Sequence, residues 1–579
     1  MSISKETANA HLNDPAVLCC LTRKGTVIGP SELEDPAVFV DLEDSGLLKL
    51  GPDVLTIAQV LGSTLQEDCD GLTPLTAKLL DSVQEAPAPA PEEKAPAPEA
   101  APAAEAAPAP AVATGGYMHL HLDKAEGLDL TIPVGGGAAP VMTAASTEST
   151  EKCEDKVLRT LVKKDYAVNK VVLADKTAYK SGVLTIDEGL IDKALKADPL
   201  VKKVKMDVIT PDQRHIYTNT IMDVIPIATK AEGKIGEGIT NVLSGVVFML
   251  TGMDEAGVQI HEFGSCEGYL DEKVRFGRPG CPDPDDIIVR VDVTIEKNTG
   301  MERRGPFAAH CACDTIIQAI REQIKDLSAE TPVKEETFQD VRHYGRPRVV
   351  LVKEIMGQGA MHDNLLVPNE PCGVAGGQKN VDLGNVPVVL SPNEVLDGGI
   401  HALACIGPAT KEITRHFFRE PLVEALATDE ELDLTGVVFI GSPQVNDEKS
   451  YVSSRLGALV EAMEVEGAIV TTEGFGNNHI DFSENIEAIG SRGVPVVGVT
   501  FAAYQGQLVV GNKYMDAMIE LNKDPEGFEN EILADNTIVP ADAARAVLML
   551  KTKMAGIPIE PPERKWDETV IEENQKLVP

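Results

Sequence analysis

The sequence predicts an α/β protein. It has a C-terminal doubly wound, mostly parallel sheet, a middle α+β domain, and a small N-terminal segment on an Ala-Pro-rich tether. Three observations carry this. Past residue 346, short Val/Ile runs alternate with amphipathic stretches, the rhythm of parallel strands covered on both faces by helices. Between 153 and 345, strand-like runs dominate and one long helix closes the block. At 85–116 the composition shifts abruptly to "EAPAPAPEEKAPAPEAAPAAEAAPAPAVATGG".

Residues 1–84 read as a small acidic domain in which "LTPLTAKLLDSV" (72–83) has the spacing of an amphipathic helix. The Ala-Pro-Glu tract lacks the amide donors and apolar residues of a core, so it is a semi-rigid linker. Residues 117–152 hold a short strand-like piece, "MHLHLDKAEGLDLTIPV", and a second loose stretch. In the middle domain, "NKVVLAD", "KVKMDVI", "GVVFML" and "IIVRVDVTIE" read as strands, and "CDTIIQAIREQIKDL" (313–327) as the helix. In the last domain the strands are "RVVLVKEI" (348–355), "VPVVLS" (386–391), "GVVFIGS" (436–442), "GAIVTTE" (467–473) and "VPVVGVTF" (494–501). Helices are expected over 453–466 and 485–493. No internal repeat is visible.

The chain has 579 residues and a net charge of −39, which argues against nucleic acid and anionic lipid as partners. The N-terminus lacks the basic start and apolar core of a secretory signal. The most apolar run, "VLSGVVFMLTGM" (242–253), is too short to span a bilayer. A cytoplasmic protein without a membrane span is expected, its ten scattered cysteines reduced.

Open parallel sheets bind ligands at the carboxyl ends of their strands. There lie "EIMGQGAMHDN" (354–364), with His362, and "TTEGFGNNHIDF" (471–482). The second gathers Glu473, Asn477, Asn478, His479 and Asp481 in what reads as one glycine-flexed loop suited to substrate handling, or else a hydrogen-bonded polar turn. "HCACD" (310–314) reads as buried structural cysteine at a helix start, as do Cys266, Cys281, Cys19 and Cys20. His119 and His121 share a strand face but lack further ligands, and no metal site is expected. In "LDGGIHALACIGPATKE" (396–412), Cys405 ends a short apolar strand, and Gly407-Pro408 opens an expected helix "PATKEITRHFF". A thiol before a helix N-terminus is acidified, and His401 falls on the same strand face. A buried cysteine beside a core histidine fits the same pattern.

"DPAVLCC", "VQIHEFGSCEG", "KEIMGQGAMHDN", "NVDLGNVPVVLSPNEVLDGGIHALACIGPATKE", "FIGSPQVN" and "VTTEGFGNNHIDF" together resemble the D-proline reductase proprotein family. The resemblance runs over essentially the full chain and extends more distantly to the glycine, sarcosine and betaine reductase proproteins. It implies self-cleavage at Ala404–Cys405, giving subunits 1–404 and 405–579 and converting Cys405 into a covalent pyruvoyl cofactor. The thiol would attack the preceding carbonyl, and elimination and hydrolysis would follow, with the Gly398-Gly399 turn straining the bond. The family's usual threonine before this cysteine is Ala404 here, which removes any help from its hydroxyl. The resemblance further implies that D-proline adds to the pyruvoyl carbonyl as an iminium and is reductively opened to 5-aminopentanoate. A selenocysteine-containing smaller subunit and a dithiol or electron-donor protein would complete a hetero-oligomer. His401, His362, Glu473 and His479 are then expected to handle protons or the substrate carboxylate. The alternatives are a glycine-, sarcosine- or betaine-type subunit, which the N-terminal extension argues against, and an unprocessed, non-catalytic paralogue.

Overall fold

The computed structural model describes residues 5–19, 22–34, 36, 39, 48–51, 53–69, 72–83, 116–121, 129–134, 155–260, 266–300, 303–356, 365–373, 380–403, 413–443, 445–472, 478–501, 510–525 and 531–559. The chain divides into two compact units, 1–150 and 151–579. The Ala-Pro-Glu linker, Gly116 apart, lies outside the described residues.

The first unit is knit by isolated bridges, such as Val17 with Pro74, Val54 with Thr76 and Leu65 with Leu80. The helix expected over 72–83 does not form. Leu72 has φ 58°, and the amides of Leu72 and Leu75 donate to Leu18 O and Ala16 O instead of along a helix. Pro74 removes a further amide, and Leu75 and Leu80 enter a small core with Leu18, Leu33 and Ile57. The strand-like piece is two strands, Gly116–His121 and Asp129–Val134, paired antiparallel.

The second unit is mixed α/β and contains two six-stranded sheets. The first comprises β1 (Lys156–Ala167), β2 (Val201–Ile209), β3 (Thr220–Glu232), β4 (Gly238–Asp254), β5 (Ile287–Ile295) and, after helix α1 (Arg304–Ile324), β6 (Lys334–Arg342). Its order is β6-β1-β4-β5-β2, with β3 antiparallel to β4. The long β4 runs parallel to β1 over residues 238–244 and to β5 over 246–254. The exchange occurs at Gly245, whose φ is +77° and whose added Cβ would lie 2.7 Å from Val168 O, so only glycine fits. Helix α1 begins well before the expected 313. Gly305 and Pro306 look like breakers but occupy its first turn, where proline is tolerated.

The second sheet begins with β7 (Arg348–Met356). There follow β8 (Leu365–Pro368), β9 (Asn380–Asp382), β10 (Val388–Leu390), helix α2 (Pro392–Leu396) and β11 (His401–Ala402). Next come helices α3 (Thr414–Phe418) and α4 (Pro421–Ala427), then β12 (Asp433–Ser442), α5 (Asn446–Met463) and β13 (Gly467–Thr471). Last are α6 (Asn478–Gly490), β14 (Val496–Thr500), β15 (Met518–Glu520) and α7 (Pro540–Met554). The order is β10-β12-β7-β13-β14-β15, all parallel except the edge strand β10. Alternation along β7 divides the core. Val349, Leu351 and Ile355 pack with residues of α2, α4 and α7, whereas Val350 and Val352 pack with α5 and α6. Strands β9-β8-β11 form a separate antiparallel sheet. No helix of the described residues is long and apolar enough to cross a membrane.

Candidate functional site

Two buried clusters carry chemistry. The first surrounds the "GGIHAL" run. Helix α2 is closed at its start by a capping box, Glu394 N to Ser391 Oγ (3.2 Å) and Ser391 N to Glu394 Oε2 (2.7 Å). It ends at Asp397, whose buried carboxylate accepts from Lys230 Nζ (2.8 Å), Gly236 N (2.8 Å) and Thr240 Oγ1 (2.5 Å). Gly398 follows with φ +81°, and a Cβ there would meet Cys372 Sγ at 2.7 Å. The turn delivers His401 into the interior against β8.

His401 Nδ1 lies 2.8 Å from Cys372 O. A carbonyl only accepts, so Nδ1 carries the proton and Nε2 the lone pair. Nε2 is 2.7 Å from His310 Nδ1. Asp223 Oδ2 lies 3.7 Å from His401 Nε2 and 3.8 Å from His310 Nδ1. Asp223 also accepts from Val224 N (2.8 Å), Thr414 N (3.0 Å) and Thr414 Oγ1 (2.6 Å). Thr414 Oγ1 in turn accepts from Ala402 N (3.0 Å). One threonine thus ties together the two ends of the 403–413 segment. Arg415, donating to Asp286 Oδ2 (2.8 Å) and Cys281 O (2.6 Å), anchors its far side. Burial pushes the Asp223 carboxyl up to about 8, although the Thr414 and Val224 bonds oppose it. Burial also pushes the His401 imidazole down to about 4.

The second cluster lies at the carboxyl ends of the parallel strands. Glu354 lies near the end of β7 on the α5/α6 face; Thr472 Oγ1 and Asn485 Nδ2 each donate to it at 2.9 Å. Lys449 of α5 donates to Asp481 Oδ1 (2.6 Å) and to Ser442 Oγ at the end of β12 (3.1 Å). His479 Nε2 meets Thr500 Oγ1 at 2.8 Å at the end of β14. Two carboxylates and one ammonium are all buried here. Burial and then the Asp481 charge hold the Glu354 carboxyl well above its usual range, against Lys449, Thr472 and Asn485. Burial also raises the Asp481 carboxyl, against the ammonium of Lys449 beside it. Asp481 Oδ2 is buried with no hydrogen-bond partner among the described residues. Burial lowers His479 to about 4, so its imidazole is neutral. The neighbouring Lys353 points to the opposite face, where it pairs with Glu420 (2.8 Å), the residue that caps α4.

The residues expected from the sequence divide accordingly. His401 belongs to the first cluster, while His479 and Asp481 belong to the second, with Asn478 buried one residue before His479. The last three begin helix α6 rather than lying in a loop. Helix formation brings Asp481 and Asn485 onto one face, one turn apart. Ala404, Cys405, His362, Glu473 and Asn477 lie outside the described residues. No helix runs unbroken from Pro408 to Phe418, because Ile413 is extended (φ −116°, ψ 166°) and α3 starts at Thr414. Asp223, His310, Thr414, Glu354, Lys449 and Asn485 were not singled out for these roles. A lone acid inside "TIMDVIPIA" and adjacent charges ending "RVVLVKEI" were the available signals. In "HCACD" the thiols are buried, and Cys313 is pushed well above the ordinary thiol range by burial; the imidazole is the group with the polar partners.

A family described as glycine/sarcosine/betaine reductase component B subunits matches residues 160–520. The whole chain is 52% identical to the D-proline reductase proprotein PrdA of Acetoanaerobium sticklandii, covering 95% of that protein. It is 25% identical, over 58% of its length, to the sarcosine reductase complex component B subunit alpha of Peptoclostridium acidaminophilum, covering 77% of it. The glycine reductase complex component B subunits alpha and beta of A. sticklandii are 24% identical over the same share of the chain. No solved structure matches.

Proposed function

The chain belongs to the glycine/sarcosine/betaine reductase component B family, and from that premise we propose that it is the pyruvoyl-forming subunit of a D-proline reductase. The observation that carries the choice of substrate is 52% identity along the whole chain, against 24–25% over 58% of it for the glycine and sarcosine enzymes. The reaction is reductive opening of the Cα–N bond of D-proline to 5-aminopentanoate.

Self-cleavage between Ala404 and Cys405 requires the Cys405 thiol to meet the Ala404 carbonyl. The flanks of that bond suit the task. Three Cα–Cα steps keep Cys405 within about 11 Å of Ala402, whose amide is fixed on Thr414. His401 lies three residues before Ala404, with its Nε2 2.7 Å from His310 Nδ1 and 3.7 Å from the Asp223 carboxyl. The pyruvoyl group so formed supplies an electrophilic carbonyl for the secondary amine of the substrate.

We read the C-terminal sheet as doubly wound. Its parallel strands run 2-1-3-4-5 in chain order, so the topological switch lies between β7 and β13. Glu354 and Thr472 lie there, with Lys449, Asn478, His479 and Asp481 delivered by α5 and α6. Protonated Glu354 is suited to donate to the departing ring nitrogen, and Lys449 to hold a carboxylate. His362, Glu473 and Asn477, which follow β7 and β13 in sequence, are proposed to complete this mouth. The chain contains no selenocysteine, so the selenol comes from a smaller partner subunit and two electrons from a dithiol or electron-donor protein.

Intact-mass measurement tests the proposal. Two chains breaking at 404/405 are expected, the smaller lacking a free amine and gaining mass on borohydride reduction. With the selenoprotein subunit added, D-proline and not glycine should turn over. An active preparation made of full-length chain with thiol Cys405 would overturn the proposal.

A further inference from the structure

Asp223, His310 and His401 come from three separate elements, β3, α1 and β11. Among the described residues they form the only set of three or more His, Cys, Asp or Glu whose ligand atoms lie within 4.8 Å of one another. Their geometry is specific. Sides of 2.7, 3.7 and 3.8 Å join His310 Nδ1, His401 Nε2 and Asp223 Oδ2. The point equidistant from all three atoms in their own plane is about 2.0 Å from each, which is the bond length of zinc to imidazole nitrogen and carboxylate oxygen.

The surrounding bonds prepare these atoms as ligands. Donation from His401 Nδ1 to Cys372 O turns the Nε2 lone pair inward. Thr414 and Val224 orient the Asp223 carboxylate. Such outer contacts accompany metal-bound histidine and carboxylate. Among the described residues, the basic groups within ion-pair distance of Asp223 are these two imidazoles, and no lysine or arginine. The nearby Asp314 is different, being paired with Arg321 at 2.5 Å.

We propose that Asp223, His310 and His401 bind a first-row divalent metal ion, Zn2+ by donor type and distance. The ion would staple the middle sheet and α1 to the strand that precedes Ala404–Cys405. The ion takes the place of the proton between the two ring nitrogens, which shifts to His310 Nε2, and it parts those nitrogens by about half an ångström. Three protein donors leave a further coordination position open. The inference does not depend on the reading of the reaction.

The test uses the full-length chain, as the wild type and as Cys405→Ser, so that metal binding is read whether or not cleavage occurs. After chelator treatment, each is titrated with Zn2+ and with Co2+, and the ion retained through gel filtration is counted by mass spectrometry. One ion per chain is expected in both. His310→Gln and Asp223→Asn should weaken binding by more than about a hundredfold, whereas His343→Gln should not change it. X-ray absorption on the wild-type zinc protein needs no variant and should show two imidazoles and a carboxylate oxygen at about 2.0 Å. Failure of the wild type to retain either ion, or retention unchanged in both ligand variants when they are folded, would overturn the assignment.

Discussion

Thr414→Val replaces a hydroxyl by a methyl of nearly the same volume, so its effect isolates two hydrogen bonds. The hydroxyl donates to Asp223 Oδ2 at 2.6 Å and accepts from Ala402 N at 3.0 Å. With the Asp223 carboxyl pushed up to about 8, both are bonds between largely neutral groups worth about 0.5–1.5 kcal/mol each, so roughly 1–3 kcal/mol of stability should be lost. The second consequence is kinetic. Without the tie between Ala402 and Thr414 the ends of the 403–413 segment can part, and misplacement by about 1 Å slows a positioned reaction on the order of a hundredfold. Urea midpoints measure the first effect, and the half-time for appearance of the 405–579 fragment, followed by intact mass, measures the second. Thr414→Ser retains both bonds and should process within about twofold of the wild type. A Thr414→Val chain that cleaves at the wild-type rate with an unchanged midpoint would refute the reasoning.

Glu354→Gln preserves shape and removes only the transferable proton of a carboxyl that burial holds well above its usual range, so the chain should fold and cleave normally while D-proline turnover falls by about 10²–10⁴-fold, read as 5-aminopentanoate formed with the partner subunit. Lys449→Met leaves Asp481 buried without its cation and should cost about 3–5 kcal/mol in urea unfolding. The His479 imidazole is held neutral down to about 4, against about 6.5 when unfolded, so the stability it contributes is complete above pH 6.5 and is lost as pH falls towards 4. That amounts to roughly 3 kcal/mol, and comparing urea midpoints at pH 7 and 4.5 should show a smaller acid loss in His479→Gln than in the wild type. Gly398→Ala forces a Cβ into Cys372 at positive φ and should both destabilise the fold, by 1 kcal/mol or more as read from the urea midpoint, and slow fragment formation.

The strands of the second unit were legible because each is a Val/Ile run long enough to show its period. "RVVLVKEI" and "GVVFIGS" became β7 and β12 with small changes at the ends. The helices were less so where a local signal misled. Gly305-Pro306 hid the first turns of α1, and the leucine spacing of 72–83 suggested a helix in a segment whose amides pair across the chain. The clusters were legible only in part. His401, His479 and Asp481 stand out as polar residues in apolar or glycine-rich surroundings. Their partners do not, because Asp223 and His401 are 178 positions apart in sequence and only packing of β3 against β11 and α3 brings them together. An isolated aspartate in a strand has no period, and a lysine on a helix face looks solvated until the helix is docked.

Strand β7 lies before residue 404, whereas β12, β13, β14 and β15 lie after it. Yet β7 sits between β12 and β13, sharing eight register pairs with the one and five with the other. A break at 404/405 therefore parts the chain without parting the sheet. The two products are interleaved, each lacking half of a common core, and neither can leave without exposing the apolar faces of β7 and its neighbours. Exchange of fragments between processed molecules should be as slow as unfolding itself. If the chain is cleaved as proposed, residues 151–579 would remain a single fold with an internal nick, and the pairing of the two products would be fixed at the moment of synthesis.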